Sequence, residues 1–483
     1  MLRTAVQTLA RRRGWEASLS MGQALPERTA WFSSGKGSDE VTVEVRVWGT
    51  FLGRDGAREA ARGRRRLVPP DRSENRGEEA EAPLPPDPAA SSRRQSLSLR
   101  VTPRLVSLCT LHFALRTRHL APGTSQTNPI VTHKLDDSPS TSITVSKSEL
   151  LSMFEQMYRM RRMEISCDML YKAKQILGFC HLYDGQEAIG VGLEMALDKN
   201  DSIITSYRDH ALYLGRLGND AAGVHKVVAE LMGRGTGASK GKGGSMHMYT
   251  RKNNFYGGCG IVGAQVPLGA GLAFAHQYNE SGGVGVALYG DGAANQGQIS
   301  ETFNLAALWD LPCIFVCENN HYGMGTSESR AAKSSAFFTR GDYMPGMKVD
   351  GMDVLATREA FRFAKDYVLK HGPIIIECDT YRYHGHSMSD PGSTYRSRDE
   401  VTDVRNRRDP LEHVRRILID NGLVEAAEIK AIEKDIKKEI DAAIEKAKAD
   451  PLPSAEVMYE DVYVKADGIA ARGTKPGVWH KLA

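Results

Sequence analysis

Long apolar runs are missing from this 483-residue chain. No stretch approaches the roughly 18 consecutive apolar residues of a membrane span. Cysteine pairing is missing too. The seven Cys fall at positions 109, 167, 180, 259, 313, 317 and 378, an odd number with no C-x-x-C spacing. A zinc site and a disulfide framework are both disfavoured. There is no GK[ST] string, so the Gly- and Lys-rich stretch 233–244 is not a Walker loop. Strong net charge is absent: the formal value is +4. Residues 1–120 hold 21 Lys/Arg and 13 Asp/Glu, which is +8, so residues 121–483 carry −4. The body therefore has no nucleic-acid footprint.

Acidic residues are absent before Glu16, while Arg3, Arg11, Arg12 and Arg13 already stand there. With Leu2, Val6 and Leu9 they form the composition of a mitochondrial targeting peptide; a disordered basic N-terminus is the plainer reading. Residues 52–100 are rich in Arg, Glu, Pro and Ser and show no period, which predicts disorder. A second acid-free stretch runs over 88–135. Either the leader is long or about 15–100 reflects a doubtful gene model. Residues 1–120 are set aside as leader, and 121–483 are expected to fold as one body.

That body is organised around residues 284–325. An apolar run at 284–289 reads as a buried strand, followed by Gly290-Asp291-Gly292. Ile299, Phe303, Ala306 and Ala307 then share one face of a helix over 293–308. Residues 313–317 read as a second strand, with Cys313 and Cys317 as small buried residues on one face, and Glu318, Asn319 and Asn320 at its end. A strand–helix–strand unit with polar residues after the strands predicts an α/β fold, a mostly parallel sheet with helices on both faces and a ligand at the strand ends. Asp291 and Asn320 offer hard oxygens suited to Mg²⁺. The glycines and the following helix N-terminus suit an anion. GDG alone is an ordinary turn; GDG, helix, strand and NN together are far more specific.

Around this unit, Ser148 is expected to cap a helix from about 149. His181 stands in a loop before a helix that begins at Gln186. Arg208, with Tyr207, follows a short strand at 203–206 and is placed for a diphosphate oxygen. Residues 257–263 look flexible. Apolar Ile374, Ile375 and Ile376 extend the sheet, with a helix at 358–369 between strands at 349–354 and 373–377. Residues 381–400 form a polar loop with His384, His386, Ser387 and Thr394. Helices follow at 409–420 and 426–448, the latter charged and read as a solvated outer helix.

The strings FCHLYDGQEA, GKGGSMHMY, GIVGAQVPLGAG, GDGAANQG, CENNHYGMGTS and YRYHGHSMSDPG occur in that order. Over about 146–465 they resemble the alpha subunits of the pyruvate dehydrogenase component. The resemblance implies a thiamine-diphosphate-binding fold and an α₂β₂ tetramer with the cofactor between alpha and beta subunits. It implies pyruvate decarboxylation with acetyl transfer to the lipoyl domain of the dihydrolipoyl acetyltransferase. Carried over by motif, Asp291, Asn320 and the Tyr322 carbonyl ligate Mg²⁺. Gly292, Ala293, Tyr207 and Arg208 meet the diphosphate, and Gly260 and Val262 meet the aminopyrimidine. His181 and His386 face the reaction centre. A beta-subunit glutamate that activates the cofactor is not in this chain, so the subunit alone is expected to be inactive. The resemblance also implies a mitochondrial matrix location and control by a kinase and phosphatase at Ser387 and Ser327. The third site falls on Thr394, where the family has Ser, with Ser393 beside it. Two rivals differ in their marks. Branched-chain 2-oxoacid dehydrogenase alpha subunits carry another string in place of YHGHSMSDPG, and an assembly-only subunit would lack Asp291 or Asn320.

Overall fold

The computed structural model describes residues 40–48, 126–140, 142–463, 469–473 and 475–481. The targeting-peptide reading of the first residues, the composition of 52–100 and Cys109 lie outside the described residues.

A nine-stranded sheet carries the site. Its strands are β1 (Glu40–Trp48), β2 (Gln126–His133), β3 (Ser142–Ser146), β4 (Ser202–Ser206), β5 (Phe255–Cys259), β6 (Gly285–Gly290) and β7 (Cys313–Asn319). After a small hairpin, β8 (Tyr322–Gly323) and β9 (Thr326–Ser327), come β10 (Gly346–Asp350) and β11 (Ile374–Asp379). The order is β3-β1-β2-β10-β11-β7-β6-β4-β5. From β10 to β5 every pairing is parallel, and β2 joins β10 antiparallel.

Alternation along the central strands divides the interior in two. Val286, Leu288, Ile314, Val316, Ile374 and Ile376 enter one core, while Ala287, Tyr289, Cys313, Phe315, Cys317 and Ile375 enter the other. Side chains on a strand point alternately to its two faces, so solid apolar runs mean a sheet covered on both sides. The helices of eight residues or more are α1 (Lys147–Lys172), α2 (Glu187–Ala196), α3 (His210–Leu217), α4 (Ala221–Leu231), α5 (Gln265–Tyr278), α6 (Gly297–Leu308), α7 (Val354–His371), α8 (Arg398–Arg408), α9 (Pro410–Asp420) and α10 (Ala426–Ala449). The buried faces of α5 and α6 join the second core; Ile299, Phe303 and Ala306 supply that of α6, on the face expected from their spacing. The remaining helices, α8 apart, line the first.

Several boundaries differ from the sequence reading. Ser146, not Ser148, caps α1, through a capping box: the Glu149 amide donates to the Ser146 hydroxyl and the Ser146 amide to the Glu149 carboxylate. The helix expected at 293–308 is broken, because Gln296 is extended between a 3₁₀ turn (Ala293–Asn295) and α6. Residues 257–259, read as flexible, belong to β5, and the pairing of β5 with β4 slips at that point. The charged helix α10 is not wholly solvated: Ile429, Ile436, Ile440 and Ile444 form a buried stripe. Finally, Glu40–Trp48, set aside with the leader, forms β1 between β2 and β3. Its Val41, Val43, Val45 and Val47 alternate with polar residues, the period of a strand. Among the described residues no helix is long and apolar enough to cross a membrane.

Candidate active site

One cleft opens at the C-terminal ends of β4, β6 and β7. It is lined by Tyr207, Arg208, Val262, Asp291, Gly292, Ala293, Asn320, Tyr322 and His386 among the expected residues. His181 and Gly260 adjoin it instead of lining it: the His181 ring lies 4.4 Å from that of Tyr207, and Gly260 precedes Val262 by two positions. Ser206, Gly290, Gly323 and Met324 complete the wall, with four residues the sequence reading did not select: Gln186, Gln265, Glu318 and Arg382.

Asp291 is the first residue beyond β6 and is 2 % exposed. Its Oδ2 has no hydrogen-bond partner. Burial raises its pKa to about 6, against the opposing charge of Arg382. A buried carboxylate oxygen without a partner is costly, and a cation is the natural remedy. Asn319 and Asn320 divide the labour at the end of β7. Asn319 is structural: its amide donates to Glu328 at 2.7 Å and to Glu377 at 3.0 Å. Asn320 faces the cleft, its Oδ1 accepting from Arg382 Nη1 at 2.8 Å. The same nitrogen donates to the Tyr322 carbonyl at 2.8 Å. His321, at φ 69°, turns the chain so that this carbonyl follows Asn320 onto the same side. Two neutral oxygens thus already converge on one cationic group. Among the described residues there is no cluster of three His, Cys, Asp or Glu fit for a metal. One carboxylate with amide and carbonyl oxygens is a Mg²⁺-type set.

The opposite wall is cationic and aromatic. Arg208, 4 % exposed, donates to the carbonyls of Leu182 and His386, the latter at 2.9 Å. His181 Nδ1 also meets the His386 carbonyl, at 3.0 Å. A carbonyl only accepts, so Nδ1 holds the proton and Nε2 keeps its lone pair. Burial, then Arg208, lowers the pKa of His181 to about 4 and that of His386 to about 3. Both rings are neutral at neutral pH. Glu318, buried and accepting from Tyr183 Oη at 2.8 Å, is raised to about 7 by burial.

The Gly-rich stretch turns out to hold an anion of its own. Glu230 accepts four backbone N–H groups, from Ser239 (2.7 Å), Gly241 (2.9 Å), Gly243 (3.0 Å) and Gly244 (3.2 Å). Gly241 has φ 73°, and a Cβ on Gly237 would sit 2.5 Å from Glu230 Cα, so the glycines are needed to wrap that carboxylate. Lys240 and Lys242 pair with Glu460 and Asp461. The loop leads directly to Met246, whose sulfur accepts the His181 N–H at 2.9 Å.

Residues 155–456 match the family of dehydrogenase E1 components. The chain belongs to the dehydrogenase E1 component family. This E1 component is 58% identical over 353 residues to a protein of Oryza sativa subsp. japonica named pyruvate dehydrogenase E1 component subunit alpha-1, mitochondrial, covering 73% of this chain and 90% of that one. It is 60% identical over 345 residues to the mitochondrial alpha subunit of Pisum sativum (71% and 86% covered) and 56% identical over 330 residues to that of Saccharomyces cerevisiae (68% and 77%). E1 components of this family depend on thiamine diphosphate. The residues present fit that group: Arg208 suits the diphosphate, and the unpartnered oxygen of Asp291 suits its counter-ion.

Proposed function

We infer that this chain is the alpha subunit of a pyruvate dehydrogenase E1 component, catalysing thiamine-diphosphate-dependent oxidative decarboxylation of pyruvate with acetyl transfer to lipoyl-lysine. The observation that carries the reading is the convergence of the bare Asp291 oxygen, Asn320 Oδ1 and the Tyr322 carbonyl on one cleft faced by Arg208. Mg²⁺ is the ion proposed for the three oxygens, with Asp291 supplying the only charge among them. Gly292 and Ala293 offer the diphosphate backbone N–H groups, and Tyr207 and Arg208 hold it from across the cleft. The bound cofactor supplies the electron sink for decarboxylation.

The chain's own residues bind and orient. His181 and His386 stand beside Tyr207, with rings 5.2 Å apart, and the proton-free Nε2 of His181 is available to exchange a proton with the reacting substrate. Gly260 and Val262 border the same cleft and are assigned to the aminopyrimidine. A beta subunit completes the site in an α₂β₂ assembly, and the acetyl acceptor is the lipoyl domain of the acyltransferase component. The mitochondrial names of the relatives support a mitochondrial location, proposed as the matrix.

Ser387 directly follows His386 in a loop fixed by Asp390, which accepts from the His386 amide (2.8 Å), the Gly392 amide (2.8 Å) and Tyr395 Oη (2.6 Å). A phosphate there would add up to about two negative charges next to the catalytic wall. Ser387 and Ser327 are accordingly proposed as kinase and phosphatase sites, with Thr394 as the third position.

The deciding assay is coexpression with a matching beta subunit, comparing pyruvate with 3-methyl-2-oxobutanoate, with and without thiamine diphosphate and Mg²⁺. Cofactor-dependent turnover favouring pyruvate is expected. Preference for the branched acid would move the chain to the branched-chain enzymes, and no turnover without cofactor binding would leave an assembly role.

A further inference from the structure

Arg382 fixes the polarity of a short hydrogen-bond chain that ends in the cleft. A guanidinium has donors only, so the end of Asn320 facing Arg382 Nη1 must be its oxygen. The other end, Nδ2, then needs an acceptor, and it finds Gln186 Oε1 at 3.0 Å. Both amides are thereby oriented by hydrogen-bond chemistry alone. What remains is Gln186 Nε2. It is buried, on a residue 1 % exposed that lines the cleft, and it has no partner. Gln186 occupies the N-cap position of α2, yet its side chain makes no capping bond. The side chain is given over to Asn320 and to the cleft.

We propose that Gln186 is a further cofactor-site residue with two duties: its oxygen holds the Asn320 amide so that Oδ1 faces the cation, and its free N–H₂ donates to an oxygen of the bound diphosphate. The inference rests on the thiamine-diphosphate reading above and names a residue which that reading does not contain. A buried donor without a partner requires an acceptor from the ligand, and an anionic oxygen is the strongest acceptor available. The three side chains then act in series: Arg382 orients Asn320, Asn320 orients Gln186, and Gln186 meets the anion.

Two substitutions separate the duties. Gln186→Glu keeps an acceptor for Asn320 Nδ2 but replaces the donor with an oxygen. Gln186→Leu removes both. In the enzyme assembled with its beta subunit, thiamine diphosphate is titrated calorimetrically at saturating Mg²⁺, and Mg²⁺ at saturating thiamine diphosphate. Both variants are expected to bind thiamine diphosphate about 10- to 100-fold more weakly, the loss of one hydrogen bond to a charged group. Only Gln186→Leu should also raise the Mg²⁺ requirement, because only there does the Asn320 amide lose its second anchor and rest on Arg382 alone. Thermal unfolding of the cofactor-free assembly supplies the second readout: a purely structural role would lower that midpoint and leave the cofactor-induced rise in midpoint unchanged, which would overturn the proposal. Wild-type affinity in both variants would overturn it too. Failure of the wild-type assembly to bind thiamine diphosphate would instead sink the underlying reading, and this inference with it.

Discussion

Replacing Glu230 by Gln is the most searching test of how the loop beside the His181 wall of the cleft is built. Glu230 is 1 % exposed, and each of its two oxygens accepts a pair of backbone N–H groups. Gln has the same shape, so packing is preserved. One oxygen, however, becomes an N–H₂ that faces two N–H donors. Two charge-assisted bonds are lost, at about 1.5–3 kcal/mol each, or roughly 3–6 kcal/mol for the loop, before any donor–donor repulsion. The surface lysine pairs to Glu460 and Asp461 cannot offset this, since exposed pairs contribute about 0–1 kcal/mol. The loss should appear as local opening of 239–244. Amide hydrogen exchange in the assembled enzyme reads it directly: protection of Ser239, Gly241, Gly243 and Gly244 should fall by at least about 100-fold, which is roughly 2.7 kcal/mol. Because Met246 accepts the His181 amide, protection at His181 should fall as well. Unchanged protection at these amides in Glu230→Gln would refute the view that the glycines serve an internal anion.

Asp291→Asn should raise the thermal midpoint of the cofactor-free enzyme while abolishing Mg²⁺-dependent cofactor binding, because the lone buried carboxylate is costly until a cation meets it; a lower midpoint would contradict the stated cost. His181 and His386 are held at about 4 and about 3, below the ordinary 6.5, so the unfolded chain takes up protons first as pH falls. Their contribution to stability is therefore complete above about 6.5 and lost towards pH 4. His386→Asn should make the midpoint fall less steeply over that window than in the wild type, checked by thermal unfolding at pH 7, 5.5 and 4.5. Ser387→Asp should depress lipoyl-dependent turnover, as measured with the lipoyl domain, while leaving assembly with the beta subunit intact, as judged by sedimentation; full turnover would remove Ser387 as a control point.

The parts of the fold with a clean period were legible. Ile299, Phe303 and Ala306 gave the buried face of α6, and the apolar runs around 284, 313 and 374 gave central strands. Asp291, Asn320 and Arg208 were legible because each follows a strand, where parallel sheets bind ligands. The same rule would have found Arg382, three residues beyond β11. Gln186 carried no such signal. Its importance comes from the amide orientation that Arg382 imposes through Asn320, a relation across 196 residues of sequence that no local pattern encodes. Helices α3 and α4 were missed because their buried residues leave little polar face to set a period: seven of the eight α3 residues, His210 to Arg216, are buried in an unbroken run. The stretch 233–244 lacks the GK[ST] of a Walker loop, and its glycine and lysine content alone did not say what it serves; that depends on Glu230, at the end of the preceding helix. In β1 the signal was present, as alternating valines, and was set aside with the basic leader.

The most direct test of the account is calorimetric titration of thiamine diphosphate into the alpha–beta assembly, with Mg²⁺ and then with the ion chelated, wild type beside Asp291→Ala. Saturable binding is expected in the wild type only when Mg²⁺ is present, and none in Asp291→Ala under either condition. Binding by Asp291→Ala that equals the wild type, or wild-type binding indifferent to Mg²⁺, would contradict the central claim that Asp291, Asn320 and the Tyr322 carbonyl form the cation site of the cofactor.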